Sequence, residues 1–325
     1  MNKKVLVFGG GTGMSCLLKG LKEFPVDITA IVSVCDDGGS TGALRNEFDI
    51  PAVGDIRKIL VSLSEKEEDV GDLLNYRFKS NGNLDNHTVG NILMTAAIQM
   101  TGSMKQAVKL LGKVLNLSGK ILPFTESNID LCAEMEDMSI VKGEHFITQS
   151  DKKIKKVFYE KQPTVSYKLI REIEDAGLII LSMGSIYTSI LPCLLSDKIK
   201  NAIDKSNAPI IYTCNLFTQP GETDDFKVSD HIKVLNEYLG NRKVDTVIAN
   251  TGNFDKKLAK KYLRKEQKDI VTLDIDETYK LVDDLIVDDL ITVEDGVFRH
   301  DTLKLGFLIF SKLLLEEKKK KPNIK

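Results

Sequence analysis

The sequence predicts an α/β protein built on an open, doubly wound, mainly parallel sheet. Short β-branched runs alternate with stretches of helical periodicity along most of the chain. The first unit is a strand, a glycine turn, a helix and a second strand, a βαβ opening that requires a parallel sheet. Five of the predicted strands also finish in Gly, Ser, Thr, Asn or Asp, and the carboxyl ends of strands are where open α/β sheets hold ligands.

The elements follow in order. Residues 5–8 form the first strand. Residues 14–24 form a helix with Leu17, Leu18 and Leu21 on one side, and residues 28–34 form the second strand. A helical insertion is expected at about 55–140, with helices near 56–63, 70–78, 89–100 and 103–115 and a short strand at 121–124. At about 141–160, apolar runs flank the polar Gln149-Ser150-Asp151-Lys152-Lys153, which reads as a small β-hairpin excursion. Strands at 178–181, 209–213, 244–249 and 269–273 resume the pattern, with helices at 228–239 and 254–263 and a last helix within 297–315. Residues 1–317 are thus read as a single nucleotide-binding domain. Residues 318–325 carry a lysine run and a proline without an apolar face, as expected of a flexible basic tail.

Composition excludes several classes. With 45 basic against 47 acidic residues the formal charge is −2, which gives no pull toward nucleic acid. No apolar run approaches the roughly 18 residues of a membrane helix, and the first strand starts where a secretory leader would need an apolar region. A cytoplasmic location without membrane insertion is the expectation. The five cysteines form no C-x-x-C pair, so free thiols rather than a zinc site are expected.

The first strand runs into Gly9-Gly10-Gly11-Thr12-Gly13. Glycines at a strand-to-helix turn let backbone N–H groups approach a pyrophosphate at the positive end of the helix. Met14 breaks the G-x-G-x-x-G spacing and no Gly-Lys-Ser/Thr follows, so neither a nicotinamide dinucleotide nor ATP is specified. The second strand ends in Asp36-Asp37-Gly38-Gly39-Ser40-Thr41-Gly42, where the acids suit a sugar hydroxyl or a metal and the loop suits an anion. In Gly54-Asp55-Ile56-Arg57-Lys58, Asp55 either caps a helix or joins Asp36 or Asp37 at Mg²⁺, with Arg57 or Lys58 toward phosphate. Asn91 opens a further helix after His87. Gly184-Ser185 and Asn215 end later strands. In Arg299-His300-Asp301 the guanidinium suits a phosphate or a partner, and Asp301 alternatively caps a helix. The candidate ligand set is therefore Gly10, Gly11, Thr12, Gly13, Asp36, Asp37, Gly39, Ser40, Thr41, Asn91, Gly184, Ser185, Asn215 and Arg299, with Asp37 and Asp55 as metal candidates. No G-x-S-x-G or H-E-x-x-H motif supports hydrolase chemistry.

These motifs, with His87-Thr88-Val89-Gly90-Asn91 and Gln219-Pro220-Gly221-Glu222-Thr223, resemble in their order those of the gluconeogenesis factor family, related to the 2-phospho-lactate transferases of deazaflavin cofactor synthesis. The resemblance covers nearly the whole chain. It implies a Rossmann-like sheet and a nucleotide-diphosphate site. The bacterial branch is similar to UDP-sugar-binding regulators of cell shape and wall synthesis during gluconeogenic growth, which implies a nucleotide-sugar ligand and protein partners in wall synthesis. A homo-oligomer is a separate expectation. The transferase branch uses Mg²⁺ and a guanosine diphosphate donor, and its metal ligands resemble Asp36 or Asp37, and Asp55. Aromatics make up only 6% of the chain and Trp is absent, so nothing marks a deazaflavin pocket. The regulator is the favoured expectation and an Mg²⁺-dependent phosphotransferase the alternative.

Overall fold

Buried β-branched residues form the centre of the sheet. The computed structural model describes residues 3–294 and 296–320, without the side chains of Lys265 and residues 317–320. Strand β1 (Lys3–Gly9) buries Val5, Leu6, Val7 and Phe8 almost completely, as a central parallel strand covered on both faces must. Helix α1 (Gly11–Leu21) leads to β2 (Val26–Val32), which lies parallel to β1. Met14, Leu17, Leu18 and Leu21 recur at helical spacing and are the buried face of α1.

Helices α2 (Gly39–Phe48), α3 (Gly54–Leu63), α4 (Glu67–Asn75), α5 (Val89–Thr101) and α6 (Met104–Val114) carry the chain to β3 (Lys120–Pro123), which pairs with β2. Strands β4 (Leu131–Met135), β5 (Ile140–Lys142) and β6 (Ile154–Tyr159) make a separate antiparallel sheet ordered β5-β4-β6, with α7 (Glu144–Thr148) between β5 and β6. After α8 (Tyr167–Glu174), β7 (Leu178–Leu181) returns to the other side of β1. A π-helical turn (Ile186–Ile190) and α9 (Leu191–Leu194), then α10 (Asp197–Lys205), β8 (Ile210–Thr213), α11 (Val228–Tyr238) and β9 (Thr246–Asn250) continue outward. Helices α12 (Lys256–Glu266) and α13 (Ile275–Tyr279) precede β10 (Asp284–Asp288). The ribbon β11 (Ile291–Glu294) and β12 (Val297–His300) leads into α14 (Thr302–Lys320), which packs on α1 with Phe24 stacked on Phe310.

Among the described residues the main sheet has seven strands ordered β10-β9-β8-β7-β1-β2-β3, all paired in parallel. The chain winds outward from β1 through β2 and β3, then crosses back to β7 and winds outward on the other side. This is the Rossmann order with one strand added, and its switch point lies between β1 and β7. No helix among the described residues is long and apolar enough to cross a membrane.

Four expectations change in detail. Residues 269–273 form no strand: only Ile270 bridges to Phe217, and the sheet is completed by β10 instead. The antiparallel excursion begins at Leu131 rather than near 141, because β4 is its central strand. The segment expected as a helical insertion is helical only to Val114 and then gives β3 to the main sheet. Helix α14 runs to Lys320, into the segment expected as a tail, and the rest of that segment lies outside the described residues.

Candidate functional site

The crevice begins where β1 and β7 diverge. Gly10, in extended conformation, ends the strand, and α1 starts at Gly11 with no side chain capping its first turn. Helices α2, behind Gly38, and α3, behind Val53, likewise lack side-chain caps. Three helix N-termini thus bring N–H groups without side-chain partners to one end of the sheet, the arrangement that binds anions. The glycine and hydroxyl residues Gly39, Ser40 and Thr41, expected in a loop, are the first turn of α2.

Two glycines have separate duties. Gly11 has φ +62°, and a Cβ there would come no closer than 3.7 Å to Asp55, so its space is open. A Cβ on Gly13 would collide with the Met183 carbonyl, so Gly13 lets the β1 and β7 loops touch. Gly11→Val is therefore expected to cost about 1–2 kcal/mol in backbone strain and to weaken nucleotide binding roughly tenfold by intruding on the ligand. Gly13→Ala should instead lower the melting temperature before any ligand is added. Calorimetric titration with thermal melts distinguishes the two.

Carboxylates gather on the β2 side. Asp36 accepts the Gly38 N–H at 2.9 Å, and burial, together with nearby Asp55, pushes its pKa up. Asp37 turns away and accepts the His145 N–H at 2.7 Å, pinning α7 against the site. The acid beside Asp55 is thus Asp36, and the expected pairing of Asp37 with Asp55 is not the one the fold brings together. Asp55 does not cap α3; its Oδ1 pairs with Lys58 Nζ at 3.1 Å. Arg57 is buried and donates to Asn75 of α4.

Two acids that sequence reasoning left without a role complete the cluster. Glu144, on α7, is pushed up to about 8 by burial and then by Asp36, Asp55, Glu222 and Asp37. Glu222 is buried and pushed up to about 7 by desolvation, against hydrogen bonds from Ser185, Thr188 and the Tyr187 backbone. Near neutral pH both therefore hold protons to a substantial degree, Glu144 through burial among other acids and Glu222 through burial itself. Among the described residues no group of three or more His, Cys, Asp and Glu side chains is placed to hold a metal ion. The donors that do fit Mg²⁺ are the carboxylate oxygens of Asp36 and Asp55, since this ion commonly takes one or two carboxylates and completes its shell with substrate phosphate and water. It would supply charge neutralisation there.

Polar side chains tie the loops together. Asn91 Nδ2 donates to Ser40 Oγ at 3.1 Å and Thr41 Oγ1 at 3.4 Å, while its buried Oδ1 has no partner among the described residues. His87 Nδ1 lies 3.0 Å from Ser40 Oγ. Ser185 caps the π-helical turn by accepting the Thr188 N–H at 3.1 Å and also donates to Glu222. Asn215 Nδ2 donates to the Gly184 carbonyl at 3.1 Å, and Oδ1 of Asn215, like Oε1 of Gln219, is buried without a partner.

On the other side of α1 lies a cavity of about 430 Å³, walled by Thr12, Gly13, Asn215, Phe217, Phe298 and Arg299. Phe217 stacks on Tyr262 and leans on Phe298, which makes one wall aromatic. Arg299 is half-buried, and its guanidinium makes no hydrogen bond or ion pair among the described residues. Its neighbours in sequence do other work. His300 donates Nε2–H to the Cys214 carbonyl at 3.1 Å and is pushed down to about 4 by burial, so it is neutral. Asp301 accepts the Lys304 N–H at the start of α14. Of this group, Arg299 and His300 both line the cavity, His300 with its ring bonded to the Cys214 carbonyl, while Asp301 serves the start of α14. All five cysteines are unpaired, and burial pushes up the thiol of Cys16, which also lines the cavity.

The structure thus sorts the predicted residues into two halves that meet at the glycine turn. Thr12, Gly13, Asn215 and Arg299 line the cavity, with Gly184 and Ser185 behind them. Asp36, Ser40, Thr41, Asn91 and Asp55 form the other half, while Asp37 serves α7.

Comparison with known proteins places this arrangement. A family model described as 2-phospho-L-lactate transferase CofD matches residues 5–291. A gluconeogenesis factor of Bacillus subtilis (strain 168) is 44% identical over 307 residues, covering 94% of this chain and 96% of the relative. A putative gluconeogenesis factor of Thermotoga maritima is 40% identical over 311 residues, covering 94% and 98%. A crystal structure of a Bacillus halodurans protein superposes with a TM-score of 0.92 at 41% identity, covering 95% of this chain and 100% of that one.

Proposed function

The chain belongs to the 2-phospho-L-lactate transferase CofD family, alongside the gluconeogenesis factors, and on that premise we propose that it binds a UDP-sugar across the switch point and acts as a regulator rather than as a catalyst. The observation that carries this reading is the Arg299 guanidinium, without a hydrogen bond or ion pair among the described residues, in a cavity that also contains the uncapped start of α1. A diphosphate laid there takes backbone N–H groups from the turn at Gly11, Thr12 and Gly13, and a bidentate contact from the arginine. The aromatic wall and the unpartnered Asn215 and Gln219 oxygens suit the base. The sugar extends over Asp36, Ser40 and Asn91.

The case for regulation rests on what the residues lack the means to do. The thiols lining and underlying the site are pushed up by burial, and His300 is neutral and engaged. Neither those thiols nor His300 therefore supplies an activated nucleophile or a free base, and the hydroxyl contacts Ser40 with His87 and Ser185 with Glu222 tie loops and a helical turn together. Binding without transition-state contacts gives affinity and no rate. A regulator of this kind would report nucleotide-sugar supply in the cytoplasm to partners that set cell shape and wall synthesis during growth on gluconeogenic carbon.

One observation favours a second reading. The carboxylate pair Asp36 and Asp55, with Glu144 above it, suits a divalent cation at a transferring phosphoryl group, and the family model carries a transferase description. A thermal-shift screen of UDP-, GDP- and ADP-sugars tests the first reading. A ligand at 100 times its Kd stabilises by about 2.7 kcal/mol, so the UDP series should separate clearly from the others. Long incubation with Mg²⁺ should return the UDP-sugar unchanged by phosphorus NMR. Enzyme-dependent release of UDP, or transfer of its sugar or phosphate, would establish the transferase instead. Metal dependence has its own check: if Asp36 and Asp55 hold Mg²⁺ with the ligand, EDTA and Asp55→Asn should each weaken binding by roughly tenfold. Unchanged affinity in EDTA would remove the metal from both readings.

A further inference from the structure

We propose that the open edge of the main sheet at β3, with the lysine-lined groove beside it, docks an extended acidic segment of a partner protein. The groove lies between α6 and β3, has a volume of about 640 Å³, and shares no lining residue with the cavity at Arg299. It sits by the amino end of β3, whereas the nucleotide crevice lies at the carboxyl ends of the strands.

The charge is one-sided. Lys105, Lys109 and Lys113 follow one another at four-residue spacing along α6, and Lys168 of α8 and Lys120 of β3 complete the lining. No aspartate or glutamate lines the groove beside α6; Glu126 lies beyond Pro123, where its Oε1 accepts the Lys105 backbone N–H at 2.9 Å. Lys120 is partly compensated by Asp27 at 3.4 Å and Glu172 at 4.0 Å, but the other four lysines make no ion pair among the described residues. In a chain of net charge −2 this is a local excess of cations. Like charges held near one another without counter-ions favour an anionic partner.

The floor of the groove selects the kind of anion. Strand β3 pairs only with β2 among the described residues. The Phe124 N–H donates inward to the Val32 carbonyl at 3.1 Å. Strand alternation therefore turns the N–H and C=O of Ile121 to the open side, where Pro123 offers only its C=O. A polypeptide in extended conformation can take up those groups by adding to the sheet, while a phosphodiester chain cannot. Beside α6 no arginine or aromatic side chain lines the groove to stack bases, and Phe124, past Pro123, is fully buried. A smaller cavity of about 180 Å³, sharing Lys105 and Leu122, prolongs the groove past Pro123 toward Val165, as an extended chain requires. Pro123 limits the pairing to a short stretch, which protects the edge from indiscriminate sheet growth and leaves selectivity to the lysines.

The test uses the full chain and a short labelled peptide alternating glutamate with valine, followed by fluorescence polarisation. The peptide should bind, more weakly as salt rises. The double variant Lys109→Glu/Lys113→Glu should weaken it by roughly tenfold or more, whereas Lys198→Glu, on α10, should not. Both variants should keep the wild-type melting temperature. Methylating alternate peptide nitrogens should also reduce binding. The proposal fails if the peptide does not bind, if Lys198→Glu is equally damaging, or if the methylated peptide binds as well as the parent. Single-stranded DNA binding as tightly would transfer the groove to nucleic acid. Self-association abolished by the double variant would transfer it to a second copy of the chain.

Discussion

Arg299→Ala should reduce affinity for a UDP-sugar by roughly 100-fold, the loss expected when a charge-assisted, bidentate contact in a partly buried site disappears. The ligand-free protein should melt close to the wild type, because the Arg299 guanidinium holds no hydrogen bond or ion pair among the described residues whose loss would weaken the fold. Arg299→Lys should recover only part of the affinity, since an ammonium supplies the charge without the planar fork. Calorimetric titration of the three proteins with one UDP-sugar gives the comparison. Equal affinity in all three would place the diphosphate elsewhere in the crevice. A collapse in melting temperature would instead make Arg299 a structural residue.

The contrast between Arg299 and its neighbours shows what the sequence can and cannot tell. The glycine turn, the acids after β2 and the small residues after β7 and β8 were legible because parallel sheets bring all their carboxyl ends to one edge. Position along the chain then predicts position in space. The same logic could not separate Arg299 from His300 and Asp301. Whether a residue at a strand end faces the cavity, a carbonyl or a helix start depends on the strand's orientation, which β11 and β12 set through their pairing. Asp36 and Asp37 are the same problem in miniature: successive side chains point opposite ways, so one joins Asp55 and the other grips α7.

Glu144 was not legible at all. It reaches the site because the excursion β4-β5-β6 folds back over the β2 loop, a long-range packing event with no local signature. Residues 269–273 mark the opposite error. A β-branched run next to polar residues reads as a strand, yet the edge of the sheet was taken by Asp284–Asp288, whose aspartates at both ends look like turn residues. Edge strands need only one buried face, so their pattern is weak.

The acid cluster carries the second large effect, on stability against pH. Glu144 and Glu222 are pushed up to about 8 and about 7, above the ordinary glutamate value of 4.5. The folded protein therefore keeps protons that the unfolded chain has released, and stability falls as pH rises through that window. Below pH 6.5 the trend is masked: burial lowers the pKa of His231 and His300 from 6.5, so the unfolded state takes up protons there and stability falls with acid. Glu67 and Asp230 are held below their ordinary values and titrate under this range. Between pH 6.5 and 8 the carboxylates dominate: the histidine contribution fades above 6.5, and the buried thiols, raised from 9.0, add a loss in the same direction only as pH nears 8. Each group contributes at most about 1.4 kcal/mol per pH unit, so the ligand-free protein should lose on the order of 2 kcal/mol across the window. Glu144→Gln, which keeps the shape without the proton, should flatten this part of the profile and be more stable than the wild type at pH 8. Urea melts at a series of pH values measure it. If Asp36 and Asp55 hold a divalent cation, Mg²⁺ at pH 8 should restore stability to the wild type and add little to Asp55→Asn. A profile for Glu144→Gln parallel to that of the wild type would mean that Glu144 reaches solvent and that burial among the neighbouring acids does not hold its proton.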